Sequence, residues 1–368
     1  MIQDVLREAG EMSRNCPTVL SRQEMADLAA REDIGRMDYL KLLSIGDMDV
    51  LETMARRARS LTEQYFGKMI LLYAPLYLSD YCGNGCLYCG YSAGADPYER
   101  KKLGIGEMRV EMAALKESGL DSILLLTGGD RVHSPVSYIA DAVAIAAEYF
   151  SEVLLEIYAL KTEEYETLCR AGASGLTLYQ ETYDRDWYGW VHPYGEKRDF
   201  DFRLEAPERA ISAGLKHINI GPLLGLGPAV RDMFMAGIHG DYLQRAYPDV
   251  ELCLSFPRMR PVASMLQTAD TVDDIRLVRF ILATRLFLNR AGISISTREN
   301  AWMRDHLVGL GMTRMSAGSR TTVGGYALPS QRPGQFDIDD ARNVPEVMTM
   351  LRARGYRPEF TNWVRGIT

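Results

Sequence analysis

The sequence predicts an α/β chain built as a closed (β/α)8 barrel of the TIM type, with an N-terminal helical extension and a short C-terminal cover. Two observations carry this prediction. Five times a helical pattern closes on a glycine followed by an apolar run, at Ser118-Gly119-Leu120, Ala171-Gly172-Ala173, Ala213-Gly214-Leu215, Ala291-Gly292-Ile293 and Leu310-Gly311-Met312. Each glycine stands where a helix stops and hands over to a strand. The runs that follow, 122–126, 175–179, 217–220, 293–296 and 313–316, have the character of parallel strands buried on both faces. Three further runs, 72–78, 153–158 and 250–256, bring the number to eight. Eight strands alternating with helices over roughly 250 residues suit a closed barrel. Periodicity alone leaves an open doubly wound sheet as the alternative.

Residues 1–70 precede the first strand and read as helices, with Ala26-Asp27-Leu28-Ala29-Ala30 and Val50-Leu51-Glu52-Thr53-Met54 at the centres of amphipathic segments expected to cap the barrel's bottom or side. The barrel is expected over 71–325. Residues 326–368 turn polar at Pro329, Pro333 and Gly334, then form one helix over 345–354, a cover with no chemistry of its own. A net charge of −7 lacks the basic excess of a nucleic-acid binder, so small molecules are the expected partners. No apolar run approaches the ~20 residues of a membrane span, and the first ten residues lack a signal-peptide core, so a cytoplasmic protein is expected.

Six cysteines in a reducing compartment do not form a disulfide framework. Cys16, Cys169 and Cys253 stand apart and read as small buried hydrophobes. The other three fall in Tyr81-Cys82-Gly83-Asn84-Gly85-Cys86-Leu87-Tyr88-Cys89-Gly90, directly after the first strand, on the face where barrels build their active sites. Glycines let this loop wrap closely around an inorganic core. The spacing lets three thiolates reach three corners of an iron–sulfur cubane and leaves one iron open. A closed zinc tetrahedron is the alternative, with His133 or Cys253 as its fourth ligand.

Other strand ends carry polar groups. Leu126-Thr127-Gly128-Gly129-Asp130 exposes backbone donors before an acid; Glu156, flanked by apolar residues, requires a partner or a ligand. Gln180 and Glu181 follow the fourth strand, with a buried salt bridge to Arg203 as the plain alternative. Arg203 also suits a carboxylate, which a guanidinium fork grips in bidentate fashion. Arg298 stands over the barrel mouth with Ser296 close by in sequence, and Ser316 ends the eighth strand; Arg258 and Arg260 are open between site and ion-pair roles.

The CxxxCxxC pattern with Tyr88 before the last cysteine resembles the signature of the radical S-adenosylmethionine (SAM) superfamily. The resemblance implies a [4Fe-4S] cluster on Cys82, Cys86 and Cys89, with SAM chelated by the open iron. Tyr88, Thr127, Gly128, Asp130, Glu156, Gln180, Glu181 and Arg203 are then the residues expected around SAM. Relatives usually carry Gly-Glu where this chain has Gly128-Gly129.

Seven blocks in order, 82–91, 179–183, 203–209, 255–261, 296–300, 315–319 and 324–326, are similar to the aromatic amino-acid lyases of that superfamily, most of all the tyrosine lyases of thiamine biosynthesis. This implies cleavage of the Cα–Cβ bond of L-tyrosine to 2-iminoacetate and p-cresol, with Arg298 and Ser316 holding the substrate carboxylate and Ser296 assisting. It also implies a flavodoxin or ferredoxin as reductant and thiazole synthase as consumer of the imine. The aromatic stretch 183–190 is expected either as a lid or as a packed surface loop. A tryptophan lyase would share the barrel and the arginine. A hydrogenase-maturase-like tyrosine lyase would carry further cysteines for a second cluster, whereas the last cysteine here is Cys253. An iron–sulfur electron carrier would close its cluster with a fourth cysteine.

Overall fold

The computed structural model describes residues 1–14, 16, 19–95, 98–260, 266, 269–328, 332 and 334–362. Pro329 and Pro333, named above, and residue 261, which ends the block 255–261, lie outside the described residues. Four helices come first: α1 (Ile2–Arg14), α2 (Arg22–Ala30), α3 (Arg36–Leu42) and α4 (Met48–Phe66). An alternation follows: β1 (Met69–Ser79), α5 (Ile105–Glu117), β2 (Ser122–Thr127), α6 (Val136–Ala147), β3 (Glu152–Glu156), α7 (Thr162–Ala171) and β4 (Gly175–Thr177). Three short helices, α8 (Arg185–Val191), α9 (Phe200–Leu204) and α10 (Ala206–Ser212), lead into β5 (His217–Ile220). The chain continues through α11 (Ala229–Ala246), β6 (Glu251–Ser255), α12 (Asp274–Phe287), β7 (Gly292–Ile295), α13 (Ala301–Leu307), β8 (Arg314–Ser316), α14 (Val344–Ala353) and β9 (Arg357–Glu359).

Strands β2 to β8 neighbour one another in order, β8 pairs with β1, and β1 pairs with β2, so the parallel sheet closes and the open-sheet alternative falls. The long β1 makes the closure. Leu71–Tyr73 lie against Arg314–Ser316, while Ala74–Ser79 lie further along against Ile123–Thr127, the stagger that tilted barrel strands require. Four of the five stop glycines take positive φ. Gly292 does not: α12 already ends at Phe287, and Gly292 opens β7, where a Cβ would stand 3.2 Å from Thr313 Oγ1 and 3.3 Å from Cys253 Sγ. Close packing, not capping, favours a glycine there.

The ninth strand is absent from the sequence reading. Arg357-Pro358-Glu359 has no apolar run, but it adds in parallel beside Met69–Leu71, where proline is tolerated at an edge. The leading helices cover a flank of the barrel, with α1 along α11 and α4 along α12. Tyr39 of α3 pins them there: its ring stacks on Phe287 at 4.6 Å and its hydroxyl donates to the Met233 carbonyl at 2.9 Å.

At the N-terminal face the barrel is plugged by charge. Arg314 donates to both oxygens of Glu152 (2.9 and 2.6 Å) and approaches His217 Nε2 at 3.1 Å. His217 faces Glu251 at 3.3 Å, and Asn362 donates to Glu152 and Glu251 from the C-terminal segment. Burial pushes Glu152 up, but Arg314, His217 and the Ser122 hydroxyl together outweigh it and hold the carboxyl below its ordinary value. A carboxyl depressed in the folded state stabilises above the unfolded value of about 4.3 and ceases to do so as pH falls through the folded value. Replacing Arg314→Met strands Glu152 in the core and should cost roughly 3–5 kcal/mol. Urea unfolding should show that loss at neutral pH, with a shallower decline below about pH 4.3 than in the wild type, because the variant's Glu152 is no longer depressed.

Candidate active site

The C-terminal ends of the strands open into a cavity of about 1690 Å³, its mouth included. Cys82, Cys86, Cys89, Tyr88, Thr127, Gly128, Glu156, Glu181, Arg203, Ser296, Arg298 and Ser316 all line it.

The cysteine loop leaves β1 and is sewn to its surroundings by backbone bonds from Gly83 to the Gly129 carbonyl (2.9 Å), Gly85 to Tyr194 (3.1 Å), Leu87 to Val191 (3.1 Å) and Gly90 to Gln335 (3.3 Å). Gly128 is required by this seat. A Cβ there would stand 2.2 Å from the Tyr81 carbonyl oxygen and 3.1 Å from Cys82 Cβ. Amide donors reach two of the sulfurs, from Asn84 to Cys82 at 3.6 Å and from Gln335 to Cys89 at 3.7 Å. Burial pushes the Cys86 thiol up to about 12, so a bare thiolate is disfavoured until a metal supplies compensating charge.

Neither proposed fourth ligand joins the trio. Cys253 is buried inside β6, in register with Gly292. His133 stacks on Tyr81 at 3.9 Å and bonds Asp130 through Nδ1 at 2.8 Å. Among the described residues, the group of His, Cys and acid side chains whose ligand atoms converge within 4.8 Å is Glu152, His217 and Glu251, where Arg314 already supplies the cation. Thiolates on one tetrahedral zinc stand about 3.8 Å apart. The sulfurs of Cys82, Cys86 and Cys89 do not all lie within 4.8 Å of one another, a spread that suits a larger inorganic core.

Around this loop the protein leaves polar atoms without partners. Thr127 Oγ1, Ser316 Oγ and Ser319 Oγ are buried and make no hydrogen bond among the described residues, and all three residues line the cavity. Buried polar groups are ordinarily paired, and these three hydroxyls are left available on residues that line the cavity. The Arg298 guanidinium likewise makes no hydrogen bond or ion pair among the described residues; it lies 3.4 Å from the Phe336 ring centroid, and burial lowers its pKa. Ser296 Oγ accepts from the Arg298 amide at 3.3 Å, and buried Arg304 fixes β8 by donating to the Ser316 carbonyl and to Asp340.

On the opposite wall Glu181 takes φ 73, a left-handed conformation that non-glycine residues rarely adopt. Burial would raise its pKa, but Lys197 at 2.6 Å and Arg203 at 3.8 Å hold it below the ordinary value. The salt bridge read from sequence therefore exists, with Lys197 as a second cation. Arg203 Nε donates to the Tyr179 carbonyl at 2.8 Å, which aims the rest of its fork at the cavity. Glu156 makes no hydrogen bond among the described residues, and burial, then the charge of Glu181, pushes it up to about 7. The Tyr88 hydroxyl is held by His192 Nε2 at 2.8 Å.

Two expected residues are not in the cavity wall. Asp130 is engaged by its own turn, accepting from the amides of Val132 and His133, and Gln180 donates to the Phe200 carbonyl. Arg258 is committed to Glu299 and Asp274, whereas Arg260 lines the cavity and pairs with Asp339 at 2.6 Å. The 183–190 segment forms α8 and packs, Trp187 against Trp190 at 5.1 Å, without lining the cavity. Sequence reasoning missed Asn84, Lys197, Gln335 and Phe336. Gln335 and Phe336 also correct the reading of the tail as a cover without chemistry, since both line the cavity.

Fold and site together define a radical SAM enzyme. The Radical SAM superfamily matches residues 76–234, and the Biotin and Thiamin Synthesis associated domain matches 255–357, so the two matched regions share one barrel. The 2-iminoacetate synthases of Salmonella typhimurium and Escherichia coli are each 37% identical to the chain, over 331 and 329 residues, covering 90% and 89% of it and 88% and 87% of their own lengths. The FeFe-hydrogenase maturase HydG from Carboxydothermus hydrogenoformans has a similar structure, with a TM-score of 0.90 at 29% identity, over 99% of this chain and 86% of that one. The chain belongs to the 2-iminoacetate synthase family of radical SAM enzymes. No helix among the described residues is long and apolar enough to cross a membrane.

Gly128→Ala tests the seat of the cysteine loop. After anaerobic reconstitution it should bind much less iron than the wild type, with far-UV circular dichroism unchanged, because the added methyl displaces the Cys82 end of the loop and leaves the barrel intact.

Proposed function

We propose that the chain is a tyrosine lyase, cleaving the Cα–Cβ bond of L-tyrosine to 2-iminoacetate and p-cresol for thiazole formation in thiamine biosynthesis. The observation that carries the reading is the unpaired Arg298 guanidinium, which lines one cavity with Ser296, Ser316 and the cysteine trio and suits one amino-acid carboxylate. The chemistry a bound [4Fe-4S] cluster supplies is one-electron cleavage of SAM to methionine and a 5′-deoxyadenosyl radical. In this reading Thr127, Gly128, Glu156 and Arg203 hold SAM, with Tyr88 packed beside it, and Glu181 stands behind them, paired with Lys197. Arg298 would fix the tyrosine carboxylate, presenting the amino group from which a hydrogen atom would be removed. The Cα–Cβ bond then breaks, and the para oxygen spreads spin from the departing benzylic carbon, which takes up an electron and a proton to leave as p-cresol. Cavity walls that exclude water protect such radicals. A flavodoxin or ferredoxin as electron donor, and thiazole synthase as consumer of the imine, complete the proposal.

With reconstituted enzyme, SAM and dithionite, 5′-deoxyadenosine should form in a tyrosine-dependent manner, with p-cresol as co-product. Stimulation by tryptophan instead of tyrosine contradicts the substrate assignment. Arg298→Ala should raise the KM for tyrosine more than about tenfold, the loss of one charge-assisted bidentate contact, with the cluster's absorbance unchanged. An unaltered KM removes Arg298 from the carboxylate site.

A further inference from the structure

Cys89 is held by a residue far away in the chain. After β8 a strap of the chain lines the cavity at Ser319 and Thr321 and again at Gln335 and Phe336, and in its described residues the Glu111 carboxylate of α5 accepts the backbone amides of Gly325, Tyr326, Ala327 and Leu328 at 2.7 to 3.2 Å. Gln335 comes next over the cysteine loop and uses every polar atom it has. Its side-chain Nε2 donates to Cys89 Sγ at 3.7 Å, and its Oε1 accepts from the Tyr77 hydroxyl at 2.7 Å. Its backbone carbonyl accepts from Gly90 at 3.3 Å, and its amide donates to Thr321 at 3.0 Å.

A cluster-bound Cys89 sulfur can only accept, so the NH2 end of the carboxamide faces it and Oε1 is left to accept from the Tyr77 hydroxyl. An N–H directed at a cluster sulfur withdraws electron density from it and stabilises the more negative, reduced state, and hydrogen bonds of this kind are a lever by which proteins set cluster potentials. Asn84 gives Cys82 a similar bond from within the loop itself. Gln335 differs because it arrives from the strap, and its neighbour Phe336 lies against Arg298.

We propose that Gln335 is a positioning residue that sets the reduction potential of the cluster through its N–H bond to Cys89, with Tyr77 fixing the orientation of the carboxamide. This deepens the lyase reading, because it makes the strap that walls the carboxylate site also govern how readily the site accepts its electron.

The full chain, reconstituted anaerobically, is titrated electrochemically with EPR detection as wild type, Gln335→Leu and Gln335→Glu. Both variants lose the donor, while Gln335→Glu keeps the acceptor for Tyr77, so both should show a more negative midpoint potential at full iron content. Unchanged potentials in both overturn the proposal. A wild-type potential in Gln335→Glu with a lowered one in Gln335→Leu also overturns it, since placement through Tyr77 would then suffice. If neither variant keeps its cluster, wild-type protein labelled with 15N at the glutamine side-chain amide decides the matter. Pulsed EPR of the reduced cluster should then detect a coupled 15N, and its absence overturns the role. Tyrosine-dependent p-cresol formation, followed in the same wild-type preparations, separates failure of this role from failure of the lyase reading.

Discussion

The site depends on a close approach of two backbones. The chain leaving β1 turns at Tyr81 and Cys82 directly against Gly128, with no room for a side chain, and Gly83 then bonds the Gly129 carbonyl. That contact fixes where the first sulfur lies relative to the second strand. The remaining anchors of the loop, on Tyr194, Val191 and Gln335, come from distant parts of the chain, so the complete fold is needed to shape ten residues. Burial raises the Cys86 thiol, and so the loop is arranged for metal-bound sulfur and poorly suited to free thiolate.

Everything facing the loop follows the same economy. The barrel's lower end is filled with paired charge, Arg314 with Glu152 and Asn362 bridging to Glu251, although Arg314 Nε makes no hydrogen bond among the described residues. Its upper end leaves hydroxyls and a guanidinium unsatisfied. These groups belong to residues that line the cavity, where a polar ligand can pair them. One barrel thus separates a face that stabilises from a face that reacts, the usual division in this architecture.

Much of this was legible in the sequence because it rests on local pattern. Glycine stops and apolar runs located eight strands; the cysteine spacing located the cluster loop; Arg298, Ser316 and Glu156 could be placed at strand ends by counting. What could not be read depends on long-range placement. Lys197 sits in Gly195-Glu196-Lys197-Arg198, indistinguishable from a solvated loop until Glu181 is seen beside it. Gln335 and Phe336 lie in a polar stretch whose meaning comes from the Glu111 anchor, more than two hundred residues earlier. Asp130 looked like a ligand because it follows two glycines, yet its carboxylate was needed to cap its own turn. The edge strand β9 carries no strand signal at all, since a proline between charges pairs there only because β1 extends beyond the barrel.

The central claim is that three cysteines hold a cubane and leave one iron free for SAM. Mössbauer spectra of the anaerobically reconstituted, 57Fe-labelled chain, recorded with and without SAM, test it most directly. The account predicts one iron site of the cluster distinct from the other three, with parameters that change when SAM is added. Four iron sites indifferent to SAM, or a preparation that binds zinc in place of the cluster, would contradict it.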